Sequence, residues 1–91
     1  MIVLWDPQKN DWLKRERRVS FEQVCEELYA GRVLAVLPNP QRKGQLIYVI
    51  EINHYVCVVP FVRDGENIFL KTIYQNRDFN TLYGGRDGKT E

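Results

Sequence analysis

Side chains that bind metals are scarce in this 91-residue chain, which has one histidine, His54, and two cysteines, Cys25 and Cys57. The cysteines lack CxxC spacing, and three soft ligands are too few for a zinc site. We therefore interpret both cysteines as small buried hydrophobic residues and expect neither a metal nor another cofactor.

Long apolar runs are absent as well, and no stretch approaches the ~20 residues of a membrane-spanning helix. The N-terminal segment is apolar for five residues and has no basic leader, so we interpret it as a first β-strand rather than a signal peptide. The chain length suits one domain. We expect a cytoplasmic protein that does not bind membranes.

The sequence also lacks the usual patterns of catalysis. It contains no Walker loop, GxGxxG, Ser/His/Asp arrangement or pair of carboxylates at catalytic spacing. His54 falls at the tip of a two-residue turn, where short polar side chains are common for local reasons, so we assign it no catalytic role.

The net charge of +1 provides no overall attraction to nucleic acid, but residues 9–18 carry five cations against two carboxylates. Cations at a helix C-terminus are favoured by the helix dipole, so this segment is either a solvated helix end or a surface that grips phosphates. Trp12, one turn earlier, is able to stack a base or a guanidinium. The candidate RNA-binding residues are Trp12, Lys14, Arg15, Arg17 and Arg18.

Two helices are predicted in the first third of the chain. Asp6-Pro7 is typical of a helix start, and the first helix extends from Pro7 to about Arg17. The second helix begins at Ser20 with a capping box and ends at Gly31. Its predicted buried stripe comprises Phe21, Val24, Cys25 and Leu28.

The rest of the chain is predicted to form a β meander. The expected strands are Arg32–Leu37, Gln45–Ile52, Tyr55–Val62 and Asn67–Tyr74, and their short connections require antiparallel pairing. Pro60 lacks an N–H, so its strand is either bulged there or has that position facing outward. A short helix, Asp78–Tyr83, completes a domain of residues 1–83, and residues 84–91 are expected to form a flexible tail. The class is therefore α+β, with two N-terminal helices packed on an antiparallel β meander and the other sheet face partly open.

The end of the last predicted strand carries the clearest candidate site. Phe69, Lys71 and Ile73 are spaced two residues apart, so they should lie on the same face of the strand. Arg77 follows the strand, and Tyr83 ends the last predicted helix. Two cations and a phenol suit a backbone phosphate. A solvent-facing Lys71, and an ion pair of Arg77 with Asp78 or Glu66, remain the simpler alternatives.

Three segments of the chain resemble the BrnT-type toxins of bacterial type II toxin–antitoxin systems, which have the RelE-like ribonuclease fold. Residues 5–10, WDPQKN, are similar to the family's opening WD-x-x-K-x, and residues 15–22, RERRVSFE, to its KHGVSFEE junction. Residues 69–77, FLKTIYQNR, continued to Tyr83, are similar to its closing segment. Arg17-Arg18 stand where the family has histidine-glycine, and Asn80 and Thr81 stand where a second arginine is expected.

The resemblance implies a metal-independent ribonuclease that cleaves mRNA by 2′-OH attack, ribosome-assisted or free. It also implies a cognate antitoxin, typically a ribbon-helix-helix DNA-binding protein, with oligomers forming through that complex. Lys71, Arg77 and Tyr83 take the catalytic positions. An alternative from another class is a non-catalytic module that binds protein or RNA through its open sheet face.

Overall fold

The computed structural model describes residues 1–84, which form an α+β domain of three helices and a six-stranded mixed sheet. In chain order the elements are β1 (Ile2–Leu4), α1 (Pro7–Glu16), α2 (Phe21–Ala30), β2 (Ala35–Pro38), β3 (Leu46–Ile52), β4 (Tyr55–Asp64), β5 (Asn67–Leu70), β6 (Tyr74–Gln75) and α3 (Arg77–Tyr83). None of the helices in this part of the chain has the length and apolar character that a membrane crossing requires.

Both N-terminal helices begin at the predicted caps. The Asp6 carboxylate accepts a hydrogen bond from the Gln8 N–H at 3.0 Å, and both halves of the capping box between Ser20 and Gln23 are formed. Gly31 ends α2 in the left-handed conformation, with φ of 73°. These local signals were sufficient because each one satisfies backbone groups that a helix end leaves unpaired.

A buried asparagine joins α1 to α2. Asn10 is 4% exposed; its Oδ1 accepts a hydrogen bond from the Phe21 N–H at 2.8 Å, and its Nδ2 donates to the Glu22 carboxylate at 2.9 Å. The bond from Asn10, together with the nearby Lys14 ammonium, lowers the pKa of Glu22 below its ordinary value of 4.5. Asn10 thereby supplies a partner for an N–H in the first turn of α2 that has none within the helix.

The strands follow the order β1-β5-β4-β3-β2, with β6 also paired to β4. The predicted meander is confirmed for β2 to β5, which pair antiparallel in sequence order. The sheet as a whole is mixed, because β1 pairs with β5 in parallel. The turn at Asn53-His54 has positive φ at both residues, as a two-residue hairpin turn requires.

The predicted single strand Asn67–Tyr74 is wrong, because β5 ends at Leu70 and β6 begins at Tyr74. Phe61 of β4 pairs with Leu70, and Val58 of β4 pairs with Tyr74. The two β4 residues are three positions apart in sequence, but their partners are four positions apart. This extra residue is a bulge over residues 71–73, which we call the 71–73 bulge.

Pro60 explains where the bulge falls. Its carbonyl accepts a hydrogen bond from the Lys71 N–H at 2.8 Å, so the Pro60 nitrogen, which carries no hydrogen to donate, faces the same segment. The ladder therefore loses a bond opposite Pro60, and the irregularity lies in the neighbouring segment while β4 continues from Tyr55 to Asp64. Both alternatives predicted for Pro60 are therefore wrong, because β4 is not bulged there and the position faces the 71–73 segment rather than outward.

The sheet has a helical face and an open face. On the helical face, α1 and α2 bury Leu13, Phe21 and Val24 against strand residues that include Ile50 and Phe61. On the open face, α3 covers only one end. Its Phe79 and Tyr83 pack against a cluster consisting of Ile47, Val49, Val56 and Val58.

The boundary at the end of α3 is well defined. The predicted tail begins one residue too early, because Gly84 caps α3 and is buried. A Cβ there would lie 2.9 Å from the Asn80 Oδ1 and 3.0 Å from the Val56 Cγ2. The rest of the predicted tail, residues 85–91, lies outside the described residues.

A candidate anion site on the open sheet face

The 71–73 bulge changes which residues surround Lys71. Beyond the bulge the alternation of side chains reverses, and Ile73 is fully buried among the helical-face residues. The prediction that Ile73 shares a face with Lys71 is therefore wrong. Lys71 itself is exposed, and its Nζ lies 5.1 Å from the centre of the Phe69 ring on the open face. The lysine keeps its predicted neighbour Phe69 but not Ile73.

Lys71 lines a cleft of about 260 Å³ between the β2–β3 loop and the 71–73 bulge, which we call the Lys71 cleft. Its floor includes Pro60. Its remaining described lining residues are polar or aromatic: Asn39, Gln41, Arg42, Gln45, Lys71, Thr72 and Tyr74. The cleft therefore combines two cations, a phenol and three amide side chains.

The Lys71 cleft has no counter-charge among its own lining residues, although Asp64 lines another pocket together with Lys71. None of its described lining residues is acidic, and within residues 1–84 no carboxylate forms an ion pair with Arg42 or Lys71. Two neighbouring cations without a counter-charge repel each other, and a bound anion would relieve that repulsion. The electrostatics thus favour a negatively charged ligand.

The β2–β3 loop that carries Arg42 is held by its own hydrogen bonds. Asn39 donates its N–H to the Gln45 carbonyl at 3.0 Å and accepts the Gln41 N–H at 2.9 Å through its side chain. The Gln45 N–H donates to the Arg42 carbonyl at 3.1 Å. Arg42 therefore extends from an ordered loop, although its side chain is exposed.

Arg77 and Tyr83 lie on α3, on the same face of the sheet as Lys71 but farther along β4. The Lys71 N–H binds the carbonyl of Pro60 and the Asn76 N–H binds that of Val56. Four residues of strand separate these two points, or about 13 Å at ~3.3 Å per residue. The structure thus places Lys71 and the start of α3 on one surface without making them immediate neighbours.

The environments of Arg77 and Tyr83 differ. Arg77 is exposed, and within residues 1–84 it forms no ion pair with a carboxylate, including the Asp78 and Glu66 considered above. Tyr83 is half-buried, and its ring packs edge-on against Phe79 with centroids 5.8 Å apart. Tyr83 therefore anchors α3, whereas Arg77 is accessible to a ligand.

Arg17 has a structural partner that the sequence did not reveal. Its Nη1 donates to the Ile73 carbonyl at 2.7 Å and to the Thr72 Oγ1 at 3.4 Å, which ties the end of α1 to the 71–73 bulge. Its guanidinium also lies 4.7 Å from the centre of the Trp12 ring. Of the two partners predicted for Trp12, a base or a guanidinium, the structure provides the guanidinium from its own chain.

The other predicted RNA-binding residues surround the end of α1. Lys14 pairs with Glu22 at 3.7 Å, and Arg15 and Arg18 are exposed. Arg18 has a φ of 58°, a left-handed conformation that arginine rarely adopts, and its carbonyl accepts a hydrogen bond from Asn53 at 3.2 Å. These cations lie around the end of α1 and do not line the Lys71 cleft.

Sequence reasoning missed Arg42 and Tyr74. Arg42 belongs to a loop rich in proline and polar residues that gives no functional signal in the sequence. It lines the same cleft as Lys71 because β4 pairs with both β3 and β5. Tyr74 lies in β6, where it pairs with Val58, and the 71–73 bulge determines the sheet face on which its side chain lies. The unpaired Arg42-Lys43 in a short loop was the only available hint.

Among the described residues, no group of three or more histidine, cysteine, aspartate or glutamate side chains is arranged to hold a metal ion. Comparison of the chain with protein-family models, with curated proteins and with solved structures finds no match in any of the three.

Proposed function

We propose that this protein is the toxin of a type II toxin–antitoxin system, a cytoplasmic ribonuclease that cleaves mRNA and is neutralised by a cognate antitoxin. The observation that carries the proposal is the placement of Lys71 and the start of α3, with Arg77, on one open face of a rigid sheet. Cations on one accessible surface suit a polyanion.

The spacing of these cations fits a strand of RNA better than a small anion. The Lys71 and Asn76 amides meet β4 at points about 13 Å apart, and Arg77 follows Asn76; successive charges along one strand of a stacked duplex are separated by a rise of only ~3.4 Å. A single phosphate does not bridge that distance. Lys71 and Arg77 would therefore contact different phosphates of the same strand.

The proposed reaction needs no cofactor. The 2′-oxygen attacks the adjacent phosphorus, the bond from phosphorus to the 5′-oxygen breaks, and the products carry a 2′,3′-cyclic phosphate and a 5′-hydroxyl. Lys71 would stabilise the negative charge that develops on the non-bridging oxygens of the reacting phosphate, and Arg77 would hold the strand through a different phosphate. The 2′-hydroxyl proton passes to water, and the 5′-oxygen takes up a proton from the Lys71 ammonium, the Tyr83 phenol or water. DNA is not a substrate because it lacks the 2′-hydroxyl.

Two features of the fold support the family resemblance and the RelE-like arrangement proposed with it. Two N-terminal helices pack on one face of the antiparallel part of the sheet, and a short helix follows the last strand, as the resemblance implies. Arg18 occupies the position of the family's glycine, and its positive φ is the conformation for which glycine is best suited.

Induced expression in bacteria tests this function. Wild-type protein should arrest growth, and Lys71→Ala and Arg77→Ala should relieve the arrest while the purified variants keep the wild-type circular dichroism. With purified protein, cleavage of an oligoribonucleotide should slow by about 100-fold or more in either variant, and the matching deoxyoligonucleotide should stay intact.

Lys43→Ala is the matched control. It removes the same charge from an exposed residue that is not among those lining the Lys71 cleft, so arrest and cleavage should continue. Products without 2′,3′-cyclic ends, or growth that is indifferent to wild-type expression, would count against the ribonuclease.

A second candidate function, a non-catalytic binding module, is favoured by β1. This three-residue strand lies at an edge of the sheet, and Ile2 and Leu4 are 53% and 42% exposed. An apolar edge strand is able to accept a strand from another chain. Wild-type protein that binds RNA or protein without cleaving RNA would select this function.

A further inference from the structure

We infer that the Lys71 cleft is a phosphate-binding subsite for single-stranded RNA, in which Arg42 and Lys71 hold one backbone phosphate and Tyr74 stacks on an adjacent base. The choice of RNA as the ligand rests on the proposed function. The assignment of Arg42 and Tyr74 rests on the geometry of the cleft.

The lining residues define the ligand's chemistry. Arg42 belongs to the β2–β3 loop and Lys71 to the 71–73 bulge, on the two sides of the cleft, and no described carboxylate forms an ion pair with either. Guanidinium and ammonium groups donate charge-assisted hydrogen bonds, which phosphate oxygens accept readily. The side-chain amides of Asn39, Gln41 and Gln45 supply further polar groups at the rim.

Tyr74 distinguishes this subsite from a general anion site. Its side chain is 36% exposed and lines the same cleft, next to Lys71 and Thr72. Exposed aromatic rings beside cations are the elements with which proteins hold single-stranded nucleic acid, because every base has a face that stacks. The position of Tyr74 between Lys71 and α3 also places it on the path of a strand that extends towards Arg77.

The decisive measurement is the binding of a fluorescent 2′-O-methyl oligoribonucleotide of about eight nucleotides, a length within the usual site sizes, followed by anisotropy at several salt concentrations. The 2′-O-methyl groups prevent cleavage, so binding is separated from catalysis. Arg42→Ala and Lys71→Ala should each weaken binding about tenfold and reduce the salt dependence by about one phosphate contact. Tyr74→Ala should also weaken it about tenfold.

Lys43→Ala is again the control, because Lys43 follows Arg42 in the same loop and is not among the cleft's lining residues. Its affinity should stay within about threefold of wild type, since it loses only a screened surface charge. Equal losses for Lys43→Ala and Arg42→Ala would overturn the inference in favour of diffuse attraction. The inference would also be overturned if the wild-type protein did not bind the probe, or if Arg42→Ala bound it with wild-type affinity.

The two proposals fail in different ways. If the wild type neither arrests growth nor cleaves RNA but shows the expected binding pattern, the ribonuclease is wrong and the subsite stands. If the wild type cleaves RNA while Arg42→Ala and Tyr74→Ala bind the probe as well as wild type does, the subsite is wrong and the function stands.

Discussion

At the scale of single residues, Arg18 shows how a side chain is held in a conformation that it does not favour. The left-handed φ of 58° turns the chain from α1 towards the cap of α2, and the Asn53 side chain donates to the Arg18 carbonyl. A left-handed conformation costs a residue with a Cβ roughly 1–2 kcal/mol. The turn is therefore set by the neighbouring elements rather than by the preference of arginine.

Replacing Arg18 with glycine should stabilise the protein by about 1 kcal/mol, because relief of the left-handed strain exceeds the added freedom of glycine in the unfolded chain. Urea unfolding measures the change. Arg15→Gly is the comparison, because it removes the same charge from within α1 and should destabilise by about 1 kcal/mol. A loss of stability in Arg18→Gly would contradict this account.

At the scale of elements, the link between α1 and the 71–73 bulge supports the candidate site from behind. Arg17 donates to the Ile73 carbonyl at 2.7 Å, and Lys71 and Tyr74 lie on either side of the segment that it holds. Once the ladder opposite Pro60 is interrupted, this bond replaces part of the lost pairing. We therefore regard Arg17 as a positioning residue.

Arg17→Ala should destabilise the fold by about 1–2 kcal/mol through the lost hydrogen bond and the lost stacking on Trp12. It should also speed hydrogen exchange at the amides of residues 74–76 and weaken binding of the 2′-O-methyl probe. In Arg15→Ala, which removes an exposed cation of the same helix, stability should change by less than about 0.5 kcal/mol. Identical exchange rates in the two variants would show that Arg17 does not hold the bulge.

At the scale of the whole molecule, Cys57 reports on the integrity of the sheet. It lies in β4, the strand that pairs with β3, β5 and β6, and is fully buried. Burial raises the pKa of its thiol from 9.0 to about 11. Because the thiolate is the reactive form, the native protein protects Cys57 both by exclusion and by protonation.

In a Cys25→Ser background, Cys57 should react with an aromatic disulfide reagent at pH 8 only after global unfolding. The free energy of exposing Cys57, derived from the rate of that reaction, should equal the free energy of unfolding measured with urea. Since the folded-state pKa is raised, the contribution of this thiol to stability is complete below pH 9 and falls as the pH rises towards 11. Rapid reaction of folded protein would indicate that β4 opens locally.

Much of the fold was predictable because its signals are local. Caps, the apolar stripe of α2 and the short hairpin turns each depend on residues within a few positions of one another. The caps and the Asn53-His54 turn form as expected, but in the stripe only Phe21 and Val24 are buried, and Cys25 and Leu28 are half-buried. The second strand was placed less well, since it begins at Ala35 rather than Arg32. Arg32 instead pairs with Glu27 at 2.9 Å at the end of α2.

The sequence by itself determined the two capped helices, the antiparallel order of the central strands and the position of Lys71 near their end. Tertiary structure alone decided that the proline in β4 interrupts the pairing of the neighbouring segment, that Arg17 binds the 71–73 bulge and that Arg42 lines the same cleft as Lys71. Caps and turns are satisfied by adjacent backbone groups, whereas the partners of these three residues are 11 to 56 positions away in sequence. Contacts of that kind depend on which strands become neighbours, and only the folded sheet specifies that.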